Sequence, residues 1–122
     1  MRKAAVQRLG VRSVARLFKA LGDEQRVRIV ALLTHGELCV CHIEGALELN
    51  QPNASRLLAV LKNGGVVEAR RAGHWVYYRL APQADAFCRS QLEALTAAFS
   101  KQADLRADME RLLKSRGPGA CS

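Results

Sequence analysis

A mainly α fold with one small β-hairpin is what the sequence predicts, and three observations predict it. Helical spacing of apolar residues recurs from Val14 to Leu61. An aromatic-rich stretch, VVEARRAGHWVYYRL, follows with strand character. A long helical pattern then runs from Pro82 towards Arg116.

The first helix is marked by Val14, Leu17, Phe18 and Leu21, spaced i, i+3, i+4, i+7 along one face. Gly22 ends it, and Asp23 is suited to cap the next helix, QRVRIVALLTHG, which Gly36 closes. The third, roughly Leu38 to Leu49, contains Cys39 and Cys41. A sharp turn then leads into a fourth, through LELNQPNASRLLAVLKNGG. Asn50 or Gln51 can cap it, and Pro52 fits a first turn that needs no backbone donor. Ala54, Leu57, Leu58 and Leu61 form its apolar stripe. Pro52, Arg56 and Ala59 point roughly the other way, with Asn53 and Ser55 on the flanks. Gly64-Gly65 stops it.

Two short strands come next, joined at Arg71-Ala72-Gly73-His74, where Gly73 allows a positive φ. Trp75, Tyr77 and Tyr78 crowd the second strand, and hairpin packing is the expected role for them. In the final helical stretch Cys88, Leu92, Leu95 and Phe99 share one stripe. Leu105, Met109 and Leu112 repeat the spacing after a bend. The order α-α-α-α-β-β-α, with two short helices around a tight turn followed by a hairpin, describes a winged helix-turn-helix. In that fold the second helix of the motif enters the major groove and the hairpin tip approaches the backbone or minor groove. Residues 1–122 read as a single DNA-binding domain, with 1–10 a basic arm and 116–122 a tail, both expected to be flexible.

Charge agrees with a polyanionic partner. Nineteen Lys and Arg against eleven Asp and Glu give +8. Its placement says more than its size: Arg2, Lys3, Arg8, Arg12, Arg16 and Lys19 all precede the first acid, Asp23. The longest apolar run, Ile29 to Leu33, is far too short to cross a bilayer, so no membrane role is expected. The acid-free, arginine-rich start has the composition of an organelle transit peptide. It continues into core-spaced helix, however, and the expected location is cytoplasmic. Four cysteines, Cys39, Cys41, Cys88 and Cys121, are then expected to be free thiols.

The segments FKALGDEQRVRIVALL, GELCVCHIEGAL and LNQPNASRLLAVLKNGGVVEARRAGHWVYYRL resemble, in order, the ArsR/SmtB family of metal-responsive repressors, over about Leu17 to Leu80. The ELCVC variant is that of the arsenical-resistance repressors, with cadmium and lead sensors the nearest alternative. The resemblance implies a homodimer paired through its first and last helices, bound to double-stranded operator DNA and released when metalloid binds. It places Gln51, Asn53, Ser55 and Arg56 on the reading helix. Their chemistry suits that role, since Arg reads guanine, Asn and Gln read adenine, and Ser reads either base or phosphate. Arg70, Arg71 and His74 look like phosphate contacts of the wing.

Cys39 and Cys41 are the expected ligands of As(III) or Sb(III), acting as inducer and not as a catalytic cofactor. Thiolates select soft, thiophilic ions, and a helix N-terminus favours the thiolate. Two residues at this spacing do not share a helix face, but a first turn of irregular geometry can converge both sulfurs. Related repressors often carry a third cysteine three residues later; Glu44 stands there instead. The third ligand is left among Cys88, Cys121, solvent and a small thiol, with Cys88 read mainly as core and Glu44 as surface charge. Residues 1–38 hold no cysteine and 82–116 no histidine, which removes the extra ligands of the family's cadmium and zinc sites. His42, next to Cys41, is expected to be solvated. Other readings are a redox or persulfide sensor pairing Cys41 with Cys88, a DNA-binding protein with unresponsive cysteines, and a small thiol enzyme. The last lacks C-x-x-C and any βαβ pattern, so no enzyme is expected.

Overall fold

A computed structural model describes residues 10–99, 101 and 103–115; the arm before Gly10 and the tail with Cys121 lie outside these residues. Its elements are α1 (Val11–Ala20), α2 (Glu24–Leu33), β1 (Leu38–Cys39), α3 (Val40–Leu47), α4 (Gln51–Asn63), β2 (Val67–Ala72), β3 (Trp75–Leu80), α5 (Ala86–Phe99) and α6 (Ala103–Ser115). The expected winged helix-turn-helix is present, with α3 and α4 as the motif and β2–β3 as the wing.

Helix ends follow local chemistry. The Asp23 carboxylate accepts from the Arg26 backbone N–H at 3.1 Å, and Asn50 Oδ1 accepts from Asn53 N–H at 3.0 Å. Both satisfy donors that a helix start leaves open. Gly64 is required for a different reason: a Cβ there would lie 2.8 Å from the Ala20 Cβ, so α4 can close on α1 only without one. Nearby, Arg16 Nη2 donates to the Asn63 carbonyl at 2.7 Å.

The core gathers Leu17, Ile29, Leu32, Ile43, Leu58, Leu61 and Val66, all essentially inaccessible, around the junction of α1 to α4. Cys88 and Leu92 close it from α5, and Leu112 from α6. Phe18 departs from the expected stripe and is 49% exposed. Val11, Val14, Ala15 and Phe87 line an apolar surface between α1 and α5.

Two expectations about the elements are corrected. The third helix does not include Leu38 and Cys39. These pair as a short strand with β3, Leu38 opposite Tyr78 and Cys39 opposite Tyr77, giving a three-stranded antiparallel sheet ordered β1-β3-β2. The final helical stretch is two helices, and α6 folds back against α2 and α3. Its buried Asp108 explains the return: Arg111 Nη2 lies 2.7 Å from Asp108 Oδ1, Arg28 Nε lies 3.7 Å from Oδ2, and Arg111 Nε donates to the Ala46 carbonyl. A carboxylate removed from water needs such partners.

Candidate nucleic-acid interface and thiolate pair

The turn between α3 and α4 sets the angle of the reading helix. Glu48 adopts the left-handed region (φ 57°, ψ 47°) and Leu49 N–H bonds back to the Glu44 carbonyl at 3.0 Å, so the chain reverses within three residues. Helix α4 then buries Ala54, Leu58 and Leu61 and turns Gln51, Ser55 and Arg56 outward. Asn53 is half-buried, and its side-chain oxygen accepts from Arg56 Nη2. The four expected readers thus occupy the outer side and first turns of one helix. An exposed guanidinium already oriented by a neighbour loses less freedom on meeting a base edge.

The wing is a tight hairpin. β2 and β3 pair from Val67–Leu80 to Ala72–Trp75, leaving Gly73 and His74 as a two-residue loop. Of the two, only Gly73 has positive φ (63°), the pattern of a type II′ hairpin loop. His74 and Arg71 are exposed at this end. Trp75 is also 38% exposed and not packed away as expected, whereas Tyr78 rests against the core.

Arg70 is placed differently from the other wing residues. Its Nη2 and Nε meet the two Glu37 oxygens at 2.7 and 3.1 Å, and its guanidinium sits 4.8 Å from the centre of the Tyr77 ring. The hydrogen-bonded guanidinium holds the Glu37 carboxyl below its usual range, with Arg79 adding to the effect. Nothing local in the sequence announces this contact, because its partners are 33 residues apart. Glu37, like Tyr77 as a bridge between strands, went unnoticed for that reason.

The two cysteines are brought together. Cys39 is the N-cap of α3, extended (φ −70°, ψ 147°) and fully buried, and Cys41 lies in the first turn. Their sulfurs are 3.2 Å apart. The expectation of free thiols is corrected at one of them: Cys39 and Cys88 are free, whereas Cys41 is disulfide-bonded. The strand conformation of Cys39 removes the helical spacing that would have separated them. Cys88 is elsewhere: it sits in the core on α5, and burial, with Asp85 adding, pushes its thiol up. Glu44 and His42 are partly buried, His42 contrary to expectation, and among the described residues no group of three Cys, His, Asp or Glu side chains converges on one point.

A helix-turn-helix followed by a basic wing defines a DNA-binding module. Residues 23–69 match the arsR family of bacterial regulatory proteins. The chain is 40% identical to an arsenic resistance transcriptional regulator of Pseudomonas putida, over 87% of this chain and 85% of that protein. It is 50% identical to the arsenical resistance operon repressor of Escherichia coli over 58% of this chain and 62% of that one. Among solved structures, a homodimeric winged helix-turn-helix domain from Mycobacterium bovis, a possible ArsR-family regulator, superposes with a TM-score of 0.62. That match is 37% identical and covers 83% of this chain and 87% of that one. The chain belongs to the ArsR family of DNA-binding transcriptional regulators and is not an enzyme.

Proposed function

We propose that this chain is a homodimeric repressor that binds a palindromic operator and releases it when As(III) or Sb(III) is held by Cys39 and Cys41. The observation that carries the reading is the 3.2 Å separation of the two sulfurs at the start of α3, the helix that leads through one tight turn into the reading helix. Two soft sulfur donors this close suit a thiophilic ion, which the hard oxygen donors nearby do not.

Cys39 and Cys41 would hold the metalloid, which when bound would link the two side chains. Everything else in the response belongs to the protein. Cys39 is anchored in the sheet and Cys41 in the helix, so a fixed distance between their sulfurs constrains β1 against α3. The Leu47–Asn50 turn passes any tilt of α3 to α4, and Gln51, Asn53, Ser55 and Arg56 move with it. Release requires the metalloid to favour the DNA-incompetent arrangement, typically by about 1–3 kcal/mol, and the coupling is reciprocal.

The relatives' names support an arsenic-responsive repressor, and the exposed Val11 and Phe87 between α1 and α5 supply an apolar face for dimer pairing. Cys88 gives no support to a redox pair with Cys41, because burial keeps its thiol protonated. It also lies outside the pair, since among the described residues no third Cys, His, Asp or Glu side chain converges on Cys39 and Cys41. Cys121, six residues beyond the end of α6, is the chain's remaining thiol and the proposed third ligand. Operator binding titrated with arsenite tests the reading. Cys39→Ser and Cys41→Ser should each bind operator normally and fail to release it; release of both variants at wild-type arsenite concentrations would refute the site.

A further inference from the structure

Cys39, Tyr77 and Arg70 form one rung across all three strands: Cys39 pairs with Tyr77, and Tyr77 pairs with Arg70. The rung is closed on its outer side, because Arg70 reaches over the Tyr77 ring to Glu37, two residues before Cys39. The wing arginine is therefore engaged by the very segment that carries the first cysteine of the pair. Both oxygens of Glu37 are committed to it, in the fork geometry by which a guanidinium would otherwise grip a phosphate.

We propose that the Glu37–Arg70 pair is a latch that competes with DNA for Arg70 and reports the state of the Cys39–Cys41 pair to the wing. With the latch closed, Arg70 is neutralised by Glu37 and contributes nothing to phosphate binding. With it open, Arg70 gains a phosphate and the wing settles on the backbone. A constraint on Cys39 fixes β1 and the residue two positions before it, which holds the latch closed. Metalloid and DNA then oppose one another through a second arm, independent of the tilt of α3. The part played by metalloid rests on the function proposed above; the competition between Glu37 and phosphate does not.

Glu37 and Arg70 are both on the surface, their side chains 28% and 55% exposed, so replacing either should leave the fold intact. A solvent-screened surface pair of this kind is weak, so its loss should change operator affinity about twofold to fivefold. The experiment measures the dissociation constant of the full-length protein for operator DNA as a function of salt, without and with arsenite. Thermal melts confirm that each variant is folded. Glu37→Gln should tighten operator binding by that factor and steepen the salt dependence by about one phosphate contact. Arg70→Gln should weaken binding, and adding Glu37→Gln to it should change nothing further. With arsenite, Glu37→Gln should narrow the ratio of the two dissociation constants by the same factor. Unchanged affinity and salt slope in Glu37→Gln would overturn the latch, as would equal effects of Glu37→Gln in the presence and absence of Arg70. If arsenite leaves wild-type binding unaltered, the inducer reading fails, while the arsenite-free comparison still decides the competition.

Discussion

Arg111 Nε donates to the carbonyl oxygen of Ala46 across 2.6 Å, tying α6 to the last turn of the helix that begins at the cysteine pair. A helix end leaves carbonyls without backbone donors, and a cation there also meets the negative end of the helix dipole. The same guanidinium neutralises Asp108, which is wholly buried. Arg111→Ala should therefore cost about 1.5–3 kcal/mol, because it strips a charged hydrogen bond and leaves Asp108 with Arg28 as its remaining described cation. Urea denaturation of the two proteins measures this. A loss below about 0.5 kcal/mol would mean that α6 contributes little to the fold.

Arg56 on α4 is oriented by Asn53 before any DNA arrives. If it reads a base, Arg56→Ala should weaken the operator complex by about 1–3 kcal/mol and leave binding to scrambled duplex almost unchanged. Arg56→Lys should recover little, since an ammonium cannot reproduce two parallel donors. Titrations on both duplexes discriminate: equal losses on the two would make Arg56 a phosphate contact.

Glu48 is the one described non-glycine residue with positive φ, and it sits at the turn of the helix-turn-helix. Its left-handed backbone crowds a Cβ that glycine lacks, and its surface contact with Arg111 at 3.8 Å is a weak compensation. Glu48→Gly should raise stability by roughly 0.5–1 kcal/mol, read as a higher melting temperature with operator affinity retained.

This turn also marks where the sequence was legible and where it was not. The position of the reversal could be read from Asn50-Gln51-Pro52, whose capping and φ preferences act locally. The conformation of Glu48 could not, because no turn-forming residue stands there and the packing of α3 on α4 imposes it. Likewise α1, α2 and α4 declare themselves by period. A two-residue strand has no period, so Leu38 and Cys39 looked helical until β3 was placed beside them. The return of α6 depends on Asp108 finding Arg28, eighty residues earlier in the chain. In the candidate site, Cys39 and Cys41 were readable as residues, and their convergence was not. It comes from Cys39 being strand and Cys41 being helix.

Cys88 titrates against stability in a definite direction. Burial raises its folded-state value above the ordinary thiol value, so the native protein keeps this proton where the unfolded chain would release it. Stability from this group is thus fully present below the unfolded thiol pKa and declines as pH rises above it. Wild type should lose stability above about pH 9 more steeply than Cys88→Ala, which melts across that range can measure. In native protein at neutral pH, Cys88 should also alkylate far more slowly than in the unfolded chain, detected by mass spectrometry of timed iodoacetamide reactions. Rapid labelling of Cys88 would show that the core opens around α5.

Sulfur counting at bound arsenic bears on the residue that replaces the usual third thiol. Glu44 offers only hard oxygen, a poor match for a soft centre. In the proposed site Cys39 and Cys41 would supply two sulfurs, and Cys88 sits in the core on α5, outside that pair. Cys121 is six residue steps beyond Ser115, a reach of up to about 20 Å, while α6 itself is packed along α3. X-ray absorption on the arsenite complex, prepared without added thiol, should therefore give three sulfur neighbours for wild type and for Cys88→Ala. Cys121→Ser should give two, with an oxygen in the third place and weaker arsenite binding. Addition of glutathione should restore the third sulfur in that variant. Three sulfurs in thiol-free Cys121→Ser would remove Cys121 from the site and assign the third ligand to a cysteine of the second subunit.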